Sequence, residues 1–280
     1  MANYTTADIK ELRERTGAGM MDVKKALDEA DGDATKAMEI IRVKGLKGLA
    51  KREGRSTSDG LVAATVVDTA DGQRGVMIEL NSETDFVAKA DKFITLADQI
   101  LQIAAKGDPV DVDGLAAAAM ADGGTVQAAV DNLSATVGER LQLRRVAYVS
   151  GPVVDLYLHR TNKDLPPQVG VLLATDQPGA AVAHDIAMHI AAYSPTYLSR
   201  ADVPAETIES ERRIAEQTAK EEGKPEKALP KIIEGRMNGF FKENVLVDQA
   251  FAKDPKQSVG QVLKAAGGQA TGFARFRVGA

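Results

Sequence analysis

LVAATVVDTADGQRGVMIEL, residues 61–80, is the stretch on which the fold turns. Its apolar residues fall in two blocks, Leu61 to Val67 and Gly75 to Leu80, rich in the β-branched residues that suit strands. Between them Asp68-Thr69-Ala70-Asp71-Gly72 is turn chemistry, so the two blocks read as a hairpin. A helix is expected next, from about Asp85 to Ala105. Farther on, Val153 to His159 and Val169 to Ala174 flank a proline-containing loop, and a helical pattern from Ala180 to Ala192 follows. Laying Gly75-Val76 on Gly170-Val171 also pairs Val87-Ala88 with Val182-Ala183 and Phe93 with Met188. The middle of the chain therefore reads as two related strand-strand-helix halves. The fold class predicted is α+β, with two core lobes, each an antiparallel sheet carrying helices on one face.

Outward from this core, residues 5 to 55 read as three short helices. Thr6 is placed to cap the first, with Ile9 and Leu12 on one face, and Thr16-Gly17-Ala18-Gly19 ends it. The second, Met20 to Ala30, puts Met20, Val23, Ala26, Leu27 and Ala30 on one face before Asp31-Gly32-Asp33 breaks it. The third runs from about Ala34 through Ala37, Ile40, Ile41 and Val43. Residues 42 to 60 then mix Arg42, Lys44, Lys47, Lys51, Arg52 and Arg55 with four glycines, the composition of a helix end entering a flexible tether. Toward the other end, Glu206 to Glu222 carries a thin apolar stripe of Ile208, Ala215 and Ala219. Gly223-Lys224-Pro225 then turns the chain into a second pattern through Ile232, Ile233, Met237 and Phe240. Stripes this narrow cover only each other, which predicts a projecting antiparallel helical hairpin. A short helix, Ser258 to Ala265, and a strand, Gly272 to Val278, close the chain. The expected divisions are 1–55, a three-helix module with a basic linker; 56–150, the N-terminal lobe; 151–202, the first part of the C-terminal lobe; 203–248, the hairpin; and 249–280, the closing helix and strand.

Composition narrows the function classes. The 280 residues are 44% hydrophobic, 27% charged and 4% aromatic, with no tryptophan, so cores are built from Ala, Val, Leu and Ile. Without cysteine there is no disulfide, thiolate metal site or cysteine nucleophile. Asp8, Lys10, Glu11, Arg13 and Glu14 lie where a signal peptide needs an apolar run, and no stretch has the length and hydropathy of a membrane span. A soluble, cytoplasmic protein that does not bind membranes is expected. The formal net charge of −5 argues against nucleic acid as a stable partner. Of the three histidines, His184 and His189 are five apart, whereas a helical zinc pair needs a spacing of four; Asp185 and His189 have that spacing and suit a surface hydrogen bond. No phosphate-binding glycine loop and no nucleophile elbow is present. The expectation is that the chain is not an enzyme, has no catalytic residues and holds neither metal nor cofactor.

One segment stands out, Glu79 to Lys89, ELNSETDFVAK. A strand ends there, Ser82 or Thr84 is placed to cap a helix, and Asp85 lies in the first turn, where a carboxylate suits the dipole. Phe86 has two readings. The spacing Phe86, Ala90, Phe93, Ala97 makes it a core residue of one helical face; the matching position in the second half, Ala181, shows that this architecture does not require a large aromatic there, and a first-turn aromatic can project past the helix end.

Residues 12–27, LRERTGAGMMDVKKAL, resemble the N-terminal signature of the elongation factor Ts family, and Glu79 to Lys89 resembles its second signature. The likeness extends through Gly138-Glu139 to Val146, the hairpin reaching His159, His184 to Ala191, Glu234 to Met237, and Thr271 to Phe276. It implies a translation elongation factor that promotes GDP release from elongation factor Tu, contacting the G domain and a second domain. By that resemblance residues 1–55 form a module similar to a ubiquitin-associated (UBA) domain, and the hairpin is a coiled coil. Thr84, Asp85, Phe86 and Val87 match residues that disturb the partner's magnesium site, while Val137, Gly138 and His159 match core positions on its phosphate-loop side. Departures are Val23 and Ser82, where the family often has cysteine, and a longer loop from Arg160 to Gln168. Two other readings are a nucleic-acid binder using residues 42–55 and a general UBA-type adaptor.

Overall fold

The computed structural model describes residues 3–121 and 123–280. Its first three helices are α1 (Thr6–Thr16), α2 (Met20–Glu29) and α3 (Ala34–Lys47). Thr5 rather than Thr6 caps α1, in a reciprocal pair with Asp8, and Gly17 ends it at φ 79°, a conformation that favours glycine. Asp33 caps α3 through the amides of Thr35 and Lys36. Leu12, Val23, Ala26, Leu27, Ala37 and Ile41 form the bundle's core. Met20 and Val43, expected inside, are exposed, because the sides of α2 and α3 that carry them meet no other element of the bundle.

The hairpin is β1 (Asp59–Thr69) with β2 (Gly72–Ser82), in register Leu61↔Leu80 and closed by the two residues Ala70 and Asp71. The helix expected over 85–105 is two: α4 (Asp85–Ala88) and α5 (Asp91–Lys106), parted at Ala90, whose backbone is extended (φ −72°, ψ 135°). There follow α6 (Val112–Ala117), α7 (Val126–Val137) and β3 (Gln142–Gly151), which completes a sheet in the order β1-β2-β3. The second sheet has the order β4-β5-β8, built from β4 (Val153–His159), β5 (Val169–Thr175) and β8 (Ala270–Arg277). Between β5 and β8 come α8 (Ala180–Tyr193), the antiparallel helical hairpin α9 (Ala205–Glu221) and α10 (Leu229–Asn244), the small ribbon β6 (Ala250–Phe251) and β7 (Asp254–Ser258), and α11 (Val259–Ala265). The chain is thus α+β, a three-helix bundle, two antiparallel sheets with helices, and a helical hairpin.

Layering explains the run Gly75–Leu80. Val76, Ile78 and Leu80 face Phe93, Ala97 and Ile100, whereas Met77 faces the second sheet, packing with Leu172, Val154 and Phe276. A central strand buried on both faces reads as continuously apolar rather than alternating. The repeat has its physical basis in the same place. Gly75 on β2 and Gly170 on β5 both point at the opposite sheet, and a Cβ on Gly170 would lie 2.6 Å from Val62 Cγ1 and 2.7 Å from Met77 Sδ. The pairing of Phe93 with Met188 does not carry over, since Phe93 is buried and Met188 only half-buried.

The tether expected over 42–60 needs correction. Helix α3 continues to Lys47, and Gly45 is buried against the backbone of Ala135 on α7, an approach any Cβ would block. Arg52 then donates to the carbonyls of Gly45 (3.4 Å) and Ser134 (3.3 Å). The N-terminal bundle is docked on the first lobe. The surface pair expected between Asp185 and His189 is also absent: Asp185 pairs with Lys253, and His189 is fully buried against Gln249.

Candidate functional site

At the end of β2 the chain leaves the sheet and opens α4 within two residues. Thr84 occupies the N-cap position by its backbone (φ −130°, ψ 157°), but neither hydroxyl expected to cap does so. Ser82 Oγ donates to the Thr84 carbonyl (2.9 Å). Thr84 donates twice to one carboxylate, through Oγ1 to Glu139 Oε1 (2.6 Å) and through its amide to Glu139 Oε2 (3.1 Å). A charged acceptor clasped by two donors is a strong arrangement. Glu139 arrives there because Gly138 ends α7 at φ 82°, reversing the chain, and Ser134 Oγ holds the Glu139 carbonyl (2.6 Å). Glu83 is held as well, accepting the Arg140 amide at 2.6 Å and Arg55 Nη1 at 3.3 Å.

On this pinned helix start, Val87 packs against the first core, Ala88 is buried, and Phe86 stands 73% exposed, more than any other large hydrophobic residue among those described. Lys89 lies over the Phe86 ring, 4.5 Å from its centroid, and 3.7 Å from Asp85 Oδ2. The core reading of Phe86 is excluded by its exposure: Ala88 is the residue that α4 buries on the sheet, and the break at Ala90 separates Phe86 from the face of α5 that carries Phe93 and Ala97 inward. Beside the tip, the Asp59 carboxyl is pushed above its ordinary range by burial and by the negative charge of Asp85.

The structure thus joins Thr84–Val87 to Val137 and Gly138 through Glu139. His159 touches neither. It ends β4, bonded through Nδ1 to the Tyr157 hydroxyl (3.1 Å), on a cavity of about 260 Å³ with Met188, Arg275 and Arg277. The Val62 amide donating to the Pro167 carbonyl (2.8 Å) sets His159's loop at the same end of the paired sheets as the β1–β2 terminus. Sequence reasoning missed Glu83, Glu139 and Arg55 as supports. The glycine before Glu139 was a signal for the reversal, but nothing local showed where the carboxylate points. Among the described residues no three acidic or histidine side chains gather as metal ligands, and no helix is long and apolar enough to cross a membrane.

Fold and site define an α+β protein that displays an aromatic side chain, Phe86, to solvent on a braced helix start. The sequence model of the family described as "Elongation factor TS" matches residues 83–280. Over the whole of both chains the sequence is 66% identical to the elongation factor Ts of Beutenbergia cavernae and 67% identical to that of Micrococcus luteus. It is 55% identical to that of Streptomyces coelicolor, again with complete coverage of both chains. The chain belongs to the elongation factor Ts family.

Proposed function

We propose that this chain is the guanine nucleotide exchange factor of elongation factor Tu in translation, acting in the cytoplasm by binding rather than by bond-making chemistry. It needs no catalytic residue, cofactor or metal of its own. A GTPase of this kind holds GDP through a phosphate loop and a magnesium ion. An exchange factor works by binding the nucleotide-free state more tightly than the loaded one, and that difference in affinity is the whole of its effect. The observation that carries the reading is the exposure of Phe86 on a helix start fixed from two sides. A rigid aromatic loses little freedom when it enters a pocket, so its binding energy is available to displace the partner's magnesium-site helix. Asp85 engages polar groups beside it, while Thr84 and Val87 hold the helix start. Val137, Gly138 and His159 support the phosphate-loop side of the same displacement. In this reading the three-helix bundle is a UBA-like module for the G domain, the two lobes reach a second domain, and α9–α10 is a coiled-coil projection.

The nucleic-acid reading of residues 42–55 is disfavoured. Arg42 bonds Asn132, Lys44 pairs with Glu29, Arg52 holds two carbonyls and Arg55 pairs with Glu83, so these four cations, although all but Arg52 lie at the surface, already have partners within the chain. The test is release of fluorescent GDP from elongation factor Tu with and without this chain. Acceleration that rises with its concentration and saturates is expected, and release at the unassisted rate would overturn the proposal.

A further inference from the structure

The segment between α3 and β1 has the composition of a tether, yet its cations are used at particular points. Arg52 Nη1 reaches Ser134 O, and Ser134 Oγ in turn holds the Glu139 carbonyl. Arg55 Nη1 lies 3.3 and 3.4 Å from the two oxygens of Glu83, and the Arg55 carbonyl accepts from Arg140 Nη1 at 2.6 Å. The Glu83 side chain is only 19% exposed. Both chains of contact end on the same residue. Glu83 immediately precedes Thr84, and Glu139 clasps it through two bonds. The docking of α3 on α7 at Gly45 fixes the start of the segment against the same lobe.

We propose that Arg55 and Arg52 are positioning residues that strut the N-terminal bundle to the Thr84–Val87 helix start, so that the bundle sets how Phe86 is presented to the partner. The proposal rests on the exchange reading above and separates two roles for the bundle. A tether raises effective concentration and changes only how much protein is needed. A strut acts on the bound complex, so weakening it lowers the rate at saturation.

The experiment measures fluorescent GDP release from elongation factor Tu across a concentration series of the full chain. The variants are Arg55→Ala, Arg55→Lys, Arg52→Ala, Glu83→Gln and Arg42→Ala. Arg42 is the control, because its bond to Asn132 (3.1 Å) joins the bundle to the lobe without leading to the tip. Arg55→Ala is expected to lower the saturating rate by about threefold or more while the half-saturating concentration moves by less than about twofold. Arg52→Ala and Glu83→Gln should act in the same direction, Arg55→Lys should recover most of the rate, and Arg42→Ala should leave it unchanged. Amide hydrogen exchange over residues 84–90 is followed on the same preparations, and should quicken in Arg55→Ala but not in Arg42→Ala. An unchanged saturating rate in Arg55→Ala, or a shift confined to half-saturation, overturns the strut. Should the unaltered chain accelerate nothing, the exchange reading fails, and hydrogen exchange alone still decides whether Arg55 holds the helix start. Urea midpoints close to that of the unaltered chain exclude general unfolding as the cause, and Glu83→Gln serves if Arg55→Ala fails to fold.

Discussion

Phe86 and Phe93 stand seven positions apart on consecutive helices, one displayed to solvent and the other 1% exposed between Val76, Ile78 and Ile100. The same truncation should therefore act on different properties. Phe86→Ala removes surface and should change unfolding in urea by under about 1 kcal/mol while GDP release falls strongly. Phe93→Ala opens a cavity and should cost about 3–5 kcal/mol. A Phe86→Ala chain that unfolds as early as the Phe93 variant would sink the anchor reading. The sequence left the two roles unresolved because alanine at position 90 is a good helix former, and neither glycine nor proline marks the break there. Glu79 makes the opposite kind of demand. It is fully buried, accepts from Arg145 Nε at 2.5 Å and from Asn81 Nδ2 at 3.1 Å, and Arg145 also covers the Phe276 ring and bonds the Arg277 carbonyl. Arg145→Ala strands that carboxylate and should destabilise by about 3–5 kcal/mol, more than burial of the arginine stem explains. Adding Glu79→Gln to Arg145→Ala should recover part of the loss, and no recovery in urea unfolding would show that the pair is not what Arg145 supplies.

Elements were legible where burial is two-sided or strictly periodic. The hairpin β1–β2, the strands β4 and β5, and the helices α8, α9 and α10 all follow from apolar pattern and turn residues. Strand β3 was not read, because it carries Arg144 and Arg145 and is half-buried along most of its length, so neither alternation nor an apolar run marks it. The candidate site was half legible. Its helix start is a local signal, whereas the Glu139 clasp depends on the turn after α7 reaching the end of β2, a contact between residues 55 positions apart. Gly45 misled for a related reason. In sequence it looks like a linker glycine, but its lack of a side chain is what lets α3 meet α7. Gly45→Ala places a Cβ into the Ala135 carbonyl, and backbone cannot step aside as a side-chain tip would. The expected result is a cost of about 1–3 kcal/mol confined to the docking of the bundle. Limited proteolysis between residues 47 and 58 should quicken while the core lobes resist as before. Unchanged cleavage would mean that the bundle is not held through this contact.

At the scale of the whole molecule, α8, the end of the helical hairpin and the closing ribbon meet around one imidazole. His189 on α8 accepts the Ala252 amide at Nδ1 (3.2 Å), which leaves the proton on Nε2 to donate to Gln249 Oε1 (2.9 Å). Gln249 in turn donates to the Glu243 carbonyl at the end of α10 (2.8 Å), and the ring stacks on Tyr193 at 4.6 Å. This network requires neutral His189, since a second proton on Nδ1 would face an N–H donor. Burial accordingly pushes its pKa below the ordinary 6.5, against an opposing contribution from the Gln249 bond. The sign of the pH effect follows. The unfolded chain takes up the proton near its ordinary pKa while the folded chain resists, so stability present above about pH 6.5 is lost as pH falls through the lower native value. Asp155 works in the other direction. Burial raises its carboxyl pKa, with His184 opposing, so the folded state binds that proton more readily than the unfolded one and gains stability on acidification. The two contributions are separated by difference. Urea unfolding of the unaltered chain and of His189→Gln should be compared between pH 5.5 and 8. The free-energy gap between them should be largest at pH 8 and should shrink steadily below about pH 6.5, because the variant has no imidazole to protonate. A gap that stays constant across this range would mean that His189 keeps the same affinity for protons in both states, and that the junction does not depend on its neutral form.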